Sequence, residues 1–189
     1  MDFKLSDSQR QYVEAVRALA QNDFKPRAAK YMDGTFPWEN MKQLAQVGVL
    51  GMTVSEQYGG LGLPVFETAL ILEEIAKVCY PTAMAVLGEA GVQTRIIETY
   101  APDSIKENIL PKVCSGDAIL SICMTEPHAG SDLKAIKTRA VRDGDDYVIN
   151  GQKVFISNGQ SCDILVLATK TDSSAGAKGV TLFLVEGDN

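Results

Sequence analysis

The longer, N-terminal part of the chain repeats apolar residues at intervals of three and four positions, from residue 6 to about residue 115. This spacing lines apolar side chains along one face of an α-helix, so it predicts a helical region. Ser6 and Gln9 have the spacing of a capping box, in which the hydroxyl binds a first-turn amide and the glutamine reaches back. We predict five helices, near residues 6–24, 37–47, 64–79, 80–100 and 102–114.

After Gly116 the pattern changes to short apolar runs bounded by turn residues, which is typical of β-strands. Asp143-Gly144 and Asn150-Gly151 are each expected to centre a hairpin turn. Helices followed by strands indicate an α+β fold, with a helical domain at residues 1–116 and a mostly antiparallel β domain at residues 117–189. We predict strands near residues 118–124, 135–142, 146–150, 153–157, 163–169 and 180–186.

Composition narrows the class of protein. The 189 residues carry 24 acidic and 18 basic side chains, a net charge of −6, without a basic patch, so no nucleic-acid partner is expected. No run of 18 apolar residues could span a bilayer, and Met1 to Lys4 lack the features of a secretory signal. We therefore expect a cytoplasmic protein without a membrane partner. With one histidine and four scattered cysteines, no metal site is expected, and the cysteines are expected to be small buried residues.

Two segments combine polar groups and glycine in a way that a plain core does not need. In Ile122–Asp132, Gly130 lets the backbone approach a ligand, and the hydroxyls of Thr125 and Ser131 can bind carbonyl or phosphate oxygens. In Gly151–Gly159, Phe155 and Ser157 would point to the same face of the predicted strand. Such a face suits a flat apolar ligand with polar edges.

In this order, after a helical region, these segments resemble the acyl-CoA dehydrogenase family of flavoproteins. Its Thr-Glu-Pro-x-Ala-Gly-Ser-Asp signature is matched by Thr125–Asp132. Its Ile-Lys-Thr and Asn-Gly-x-Lys-x-x-Ile-(Thr/Ser)-Asn segments are matched by Ile136–Thr138 and Asn150–Asn158, and Tyr58–Gly62 is similar to a glycine-rich turn of the family. The resemblance covers the whole chain and implies a β-barrel-like domain after the helices.

The resemblance implies FAD as cofactor. The hydroxyl matching Thr125 would bind the polar edge of the flavin ring, the aromatic matching Phe155 would flank the ring, and the serine matching Ser131 would contact flavin and substrate. This sequence departs from the family at Ile122, where an aromatic ring is usual, and has a histidine at His128, expected to be exposed or to contact the phosphates of CoA. The implied cofactor-binding residues are Ile122, Met124, Thr125, Gly130, Ser131, Phe155 and Ser157.

By resemblance, the reaction oxidises an acyl-CoA thioester to a 2,3-enoyl-CoA, with a glutamate removing the α-proton and the flavin accepting a hydride. That glutamate belongs to a C-terminal helical domain, so no catalytic residue is assigned in this chain and the β domain is expected to be incomplete. Glu126 is interpreted as a turn carboxylate and not as the base. The implied partners are acyl-CoA, an electron-transfer flavoprotein, and further copies, commonly in a homotetramer, or a complementary C-terminal piece.

Two alternatives stay open at the level of the sequence. Relatives with this fold and flavin run reductase, desulfinase and nitroalkane-oxidising chemistry, and the fold alone does not separate these reactions. The chain could also be a non-catalytic binding or assembly subunit that keeps the scaffold without the base.

Overall fold

The computed structural model describes residues 4–187. The chain divides into two compact units, and the division falls between Ala118 and Ile119. The first unit is helical and the second is built on one β-sheet, so the predicted α+β fold class is confirmed. No helix among the described residues is long and apolar enough to cross a membrane.

The helical unit contains short helices joined by tight connections. A π-helical turn, Ala20–Phe24, and a 3₁₀ segment, Lys25–Asp33, continue the first helix. A second π-helical turn, Glu89–Gln93, lies between the fourth and fifth helices, so the helix predicted at 80–100 is one helical stretch with a local widening. Within residues 4–118 the α-helices are α1 (Asp7–Leu19), α2 (Trp38–Gln46), α3 (Val65–Ala76), α4 (Tyr80–Gly88), α5 (Thr94–Tyr100) and α6 (Asp103–Ser115).

The helix ends follow from local sequence. The capping box at Ser6 is confirmed, because its hydroxyl accepts from the Gln9 amide at 3.2 Å and its amide donates to Gln9 Oε1 at 2.9 Å. Helix α6 stops at Gly116, which adopts φ +77°, a conformation that favours glycine. These two signals act within a few residues, so they can be identified without knowing the fold.

The core of the helical unit is mostly apolar and includes two buried glutamates, Glu74 and Glu89. Glu74 in α3 has a side chain only 6% exposed, and it joins α1 through Arg17, whose Nε and Nη2 donate to its two oxygens at 2.9 and 3.1 Å. Lys77 Nζ also lies 2.8 Å from Glu74 Oε1. The surrounding burial of apolar surface supplies most of the stability; buried side chains include Phe24, Leu44, Ile71, Ile75, Val86 and Leu110.

The β unit is one mixed, open sheet around β4. Strand β5 pairs antiparallel with β4 along its whole length, while β1 and the start of β2 pair parallel with it. Since β5 occupies one edge of β4, β1 and β2 follow one another along the opposite edge. The strands are β1 (Leu120–Cys123), β2 (Arg139–Asp143), β3 (Asp146–Asn150), β4 (Ile164–Lys170) and β5 (Val180–Glu186).

The two predicted hairpins have different outcomes. The β2–β3 hairpin is confirmed, although its loop is Gly144-Asp145, one residue later than expected, because Asp143 pairs with Asp146. The prediction of a second hairpin is wrong, since residues 151–163 contain no strand. A β-carbon on Gly151 would lie 2.6 Å from Thr138 Cα, so this glycine serves a close approach of two chain segments.

Candidate functional site

The Thr-Glu-Pro segment lies where the chain leaves the edge of β4 and later returns to it. Strand β1 ends at Cys123, and β2 begins at Arg139 on the same edge. Residues 124–138 therefore form an excursion at the edge of the sheet. This excursion has no ladder of its own beyond one isolated bridge, so a few main-chain bonds and its side chains hold it.

The excursion begins with a tight turn. The amide of Glu126 donates to the carbonyl of Ala129 at 2.8 Å, and the amide of Ala129 donates back to Glu126 at 3.1 Å. Pro127 occupies the second position of this turn, where its fixed φ is favourable. Gly130 and Ser131 follow and are exposed, and no protein atom lies within 4 Å of a β-carbon built on Gly130. The backbone here is open to a ligand.

The Glu126 carboxylate points inward, with a side chain 2% exposed. Its Oε1 accepts from the Thr138 amide at 2.9 Å, and its Oε2 accepts from the Lys137 amide at 2.6 Å. Burial raises the pKa of Glu126, but hydrogen bonds from Thr138, Lys153 and Lys137 outweigh burial and lower that pKa to about 2. A carboxylate with so low a pKa, whose two oxygens already accept hydrogen bonds, is a weak proton acceptor, which agrees with its interpretation as a turn carboxylate.

Lys153 is the charged partner of Glu126. Its Nζ lies 2.9 Å from Glu126 Oε1 and donates to the carbonyl of Met124 at 3.0 Å, and its side chain is 9% exposed. His128, with a half-exposed side chain, lies 3.3 Å from the other oxygen of Glu126. One buried charge pair thus joins the excursion to the segment that follows β3.

The Gly151–Gly159 segment runs beside the Thr-Glu-Pro turn without forming a strand. The Val154 amide donates to the Thr125 carbonyl at 3.0 Å, and the Ser121 hydroxyl donates to the Ser157 carbonyl at 2.6 Å. Phe155 adopts φ +57°, unusual for a bulky residue, and its side chain is 93% exposed. The alternation predicted for a strand is broken at this position.

The structure places the predicted site residues in three groups. Met124 and Thr125 are joined to the Phe155 segment by the bonds just described, and Ser157 is joined to β1. Gly130 and Ser131, which follow the turn, are both exposed. Ile122 lies in β1, half-buried and paired with Val166.

The arrangement fits a flat cofactor. An aromatic ring as exposed as that of Phe155 gains apolar burial when a planar ligand covers it. Beside it, Thr125 is partly exposed and Ser157 is exposed, so both hydroxyls are accessible to polar edges. Of the residues implied for FAD, Gly130, Ser131, Phe155 and Ser157 are exposed, whereas Ile122, Met124 and Thr125 are half-buried.

The cysteines take no part in this site. All four are buried, and none forms a disulfide. Burial raises the pKa of the Cys114 thiol to about 11 and also raises the pKa of Cys123, so neither is a ready thiolate. Among residues 4–187, no three His, Cys, Asp or Glu side chains form a metal-binding group.

Lys153 and Ser121 are the residues that sequence reasoning missed. Lys153 lies in the Asn-Gly-x-Lys part of the family pattern, and its buried position depends on a partner 27 positions earlier in the chain. Ser121 occupies a predicted strand as an ordinary small residue. Only the position of Lys153 within a motif could have indicated a role.

Comparison with known proteins identifies the family. The model for "Acyl-CoA dehydrogenase, N-terminal domain" matches residues 6–117, and the model for "Acyl-CoA dehydrogenase, middle domain" matches residues 121–189. The chain belongs to the acyl-CoA dehydrogenase family.

Relatives cover the chain almost completely. Cyclohex-1-ene-1-carbonyl-CoA dehydrogenase of Syntrophus aciditrophicus is 43% identical over 97% of this chain and 44% of its own length. The crystal structure of an acyl-CoA dehydrogenase from Geobacillus kaustophilus superimposes with a TM-score of 0.91 at 35% identity, over 100% of this chain and 50% of that one. A structure described as "PigA with FAD and proline" has a TM-score of 0.91 at 28% identity, over 98% of this chain and 49% of that one. The chain spans about half the length of such relatives.

Proposed function

We propose that this chain forms part of an FAD-dependent acyl-CoA dehydrogenase that converts a saturated acyl-CoA into a 2,3-enoyl-CoA. Family membership supports the reaction class, and the name of the Syntrophus relative records a CoA thioester as the substrate of that protein. PigA, a structural neighbour, binds FAD. FAD, when bound, supplies the hydride acceptor.

One observation carries this proposal. The two segments that the family uses at the flavin are separated in sequence, yet the Val154–Thr125 bond of 3.0 Å holds them side by side. They leave an exposed aromatic ring next to accessible hydroxyls. A planar cofactor lying on this ring would remove its apolar surface from water.

We assign roles accordingly. Thr125 and the backbone of Met124 would hold the polar edge of the ring, Phe155 would cover its apolar part, and Ser157 would bind near its reactive nitrogen. Gly130 permits close approach, and Ser131 would contact both cofactor and substrate. Ile122 would flank the ring without stacking on it.

We further propose that the catalytic base lies outside these residues. Glu126, the carboxylate nearest to the motif, is held ionised by main-chain amides and Lys153. We propose a helical domain at residues 1–116 and a β domain at residues 117–189, with the base contributed by a further segment or partner. A homotetramer, an electron-transfer flavoprotein as acceptor, and the cytoplasm as compartment complete the proposal; four buried cysteines without a disulfide suit a reducing compartment.

A second candidate function is oxidation of a non-CoA substrate by the same flavin. The description of PigA with FAD and proline favours it, because that protein shares the fold over 98% of this chain. The two functions differ in which compound reduces the flavin, so one experiment separates them.

The test is anaerobic reduction of the flavin in the purified holoprotein. A series of saturated acyl-CoA compounds is expected to bleach the visible absorbance, whereas free proline leaves it unchanged. Absence of bound flavin, or absence of bleaching with every chain length, would overturn the proposal. Bleaching by proline alone would establish the second function.

A pair of variants extends the test to the site. Phe155→Ala is expected to weaken FAD binding by roughly tenfold, because it removes a stacking partner. Tyr100→Ala is the matched control, since Tyr100 is also an exposed aromatic, 78% exposed at the end of α5. Equal FAD affinity in both variants would contradict the role of Phe155.

A further inference from the structure

The segment that carries Phe155 and Ser157 lacks the usual means of holding a chain in place. Residues 151–163 contain neither helix nor strand, so no ladder of hydrogen bonds fixes them to the sheet. Main-chain groups of Val154 and Ser157 tie the middle of the segment to Thr125 and Ser121, and Asp163 at its end bonds Ile119. The side chain of Lys153 adds a second connection to the Thr-Glu-Pro turn.

The Lys153 ammonium reaches two different parts of the neighbouring turn. It donates to the carbonyl of Met124 at 3.0 Å and to Glu126 Oε1 at 2.9 Å. The same carboxylate holds the amides of Lys137 and Thr138. Displacing Lys153 would therefore leave a buried carboxylate with fewer partners, and only main-chain bonding at Val154 would then hold the Phe155 segment to Thr125.

Burial of this ion pair costs desolvation free energy, and apolar side chains could fill the same space without that cost. Replacement of a buried ion pair by well-packed apolar side chains is often neutral or stabilising, so such a pair is weak evidence of stability alone. An ammonium has three directed donors and fixes the separation between its acceptors. A methionine of similar length would fill the space without fixing the register of the two segments.

Phe155 shows why that register matters. It lies two residues after Lys153, in a left-handed conformation, with a side chain that packs against almost nothing. A strained backbone persists where the surroundings determine it. In this structure, the hydrogen bonds of Lys153, Val154 and Ser157 provide those surroundings.

We propose that Lys153 is a positioning residue for the flavin: through Met124 and Glu126 it holds the Phe155–Ser157 segment at the spacing from Thr125 that the cofactor requires. This inference rests on the proposed function. It assigns to Lys153 no contact with the reacting atoms, so its loss acts on cofactor affinity first and on turnover only through the cofactor.

The test uses the holoprotein and measures the dissociation constant of FAD together with the thermal midpoint of the flavin-free protein. Lys153→Met is expected to weaken FAD binding roughly 10- to 100-fold, the range for loss of hydrogen bonds to a charged group. Lys153→Arg should restore most of the affinity, because a guanidinium keeps the charge and the donors. Lys178→Met, the same change at an exposed lysine of the β unit, should match the wild type.

Unchanged FAD affinity in a folded Lys153→Met variant would overturn the inference. If that variant does not fold, the double variant Glu126→Gln, Lys153→Met removes both charges, and its FAD affinity is expected to stay reduced. Wild-type affinity in the double variant, or failure of both proteins to fold, would show that Lys153 serves the fold and not the cofactor. Bleaching of wild-type flavin by acyl-CoA is scored separately, so the proposed function can stand when the role of Lys153 does not.

Discussion

Glu74 in the helical unit and Glu126 in the β unit are both nearly buried carboxylates whose pKa is lowered to about 2. At Glu74, hydrogen bonding from Arg17 is the largest cause, burial opposes it, and Lys77 adds to it. At Glu126, burial is the largest influence and raises the pKa, but hydrogen bonds from Thr138, Lys153 and Lys137 outweigh it. The same ionisation state is reached by different partners.

The partners reflect the structure around each carboxylate. Glu74 binds side chains that extend from regular helices, and Arg17 is half exposed, so the helices keep their own hydrogen bonds without it. Glu126 binds main-chain amides that belong to no helix or strand. The ion pair of Glu74 joins helices whose main-chain hydrogen bonds are already made. Glu126 instead accepts from main-chain amides that no ladder of a sheet satisfies.

The largest expected effect follows from removing Glu126. Glu126→Ala would leave Lys153 buried without its carboxylate and two amides without an acceptor, so we expect a loss of about 3–5 kcal/mol in unfolding free energy. Urea unfolding measures the loss, and faster hydrogen exchange across residues 124–138 should locate it. Glu107→Ala, at an exposed glutamate of α6, is the control and should change little. A loss equal to that of the control would show that the excursion is held by other contacts.

Acid should weaken both units, because both carboxyl groups have a folded pKa near 2 against an ordinary value of 4.5. Below about pH 4.5 the unfolded carboxyl takes up a proton and the folded one does not, so stability falls as the pH approaches 2. The slope from each group is at most about 1.4 kcal/mol per pH unit. Urea midpoints measured between about pH 6 and about pH 3 test this dependence of stability on pH. Stability that is independent of pH in this window would contradict the lowered pKa values.

The smallest effect is expected at the helical ion pair. Arg17→Met keeps much of the apolar stem and leaves Glu74 with Lys77, so the expected loss is about 1 kcal/mol. Arg95→Met, at an exposed arginine of α5, controls for the change of charge. Urea unfolding of the two variants gives the comparison. A loss as large as that of Glu126→Ala would end the distinction between the two carboxylates.

Much of the fold could be predicted because its signals are local. The capping box at Ser6, the stop at Gly116 and the β2–β3 hairpin each depend on residues within a few positions of one another. The family motif likewise lies in one continuous segment, Thr125–Asp132, so it could be identified without coordinates. The roles of its individual residues at a flavin stay predictions.

The strand expected at 153–157 was wrong for a physical reason. The short apolar run Val154 to Ile156 suits a strand, but a strand also needs a neighbour along its edge. Here Val154 bonds the Thr-Glu-Pro turn instead, and Phe155 adopts a left-handed conformation. The side-chain pattern permits a strand, but the hydrogen-bond partners available to this segment do not form one.

The sequence by itself determined the order of helices and strands, the turn chemistry and the family, because periodicity and motifs are properties of nearby residues. Only the tertiary structure decided that Lys153 and Glu126 form a buried pair, because that pair joins positions 27 residues apart. The fold also brings the main-chain groups that bond this pair into place around it. The charge of each side chain could be read in advance. Whether that charge would face water or another charge depended on how the chain returned to the edge of β4.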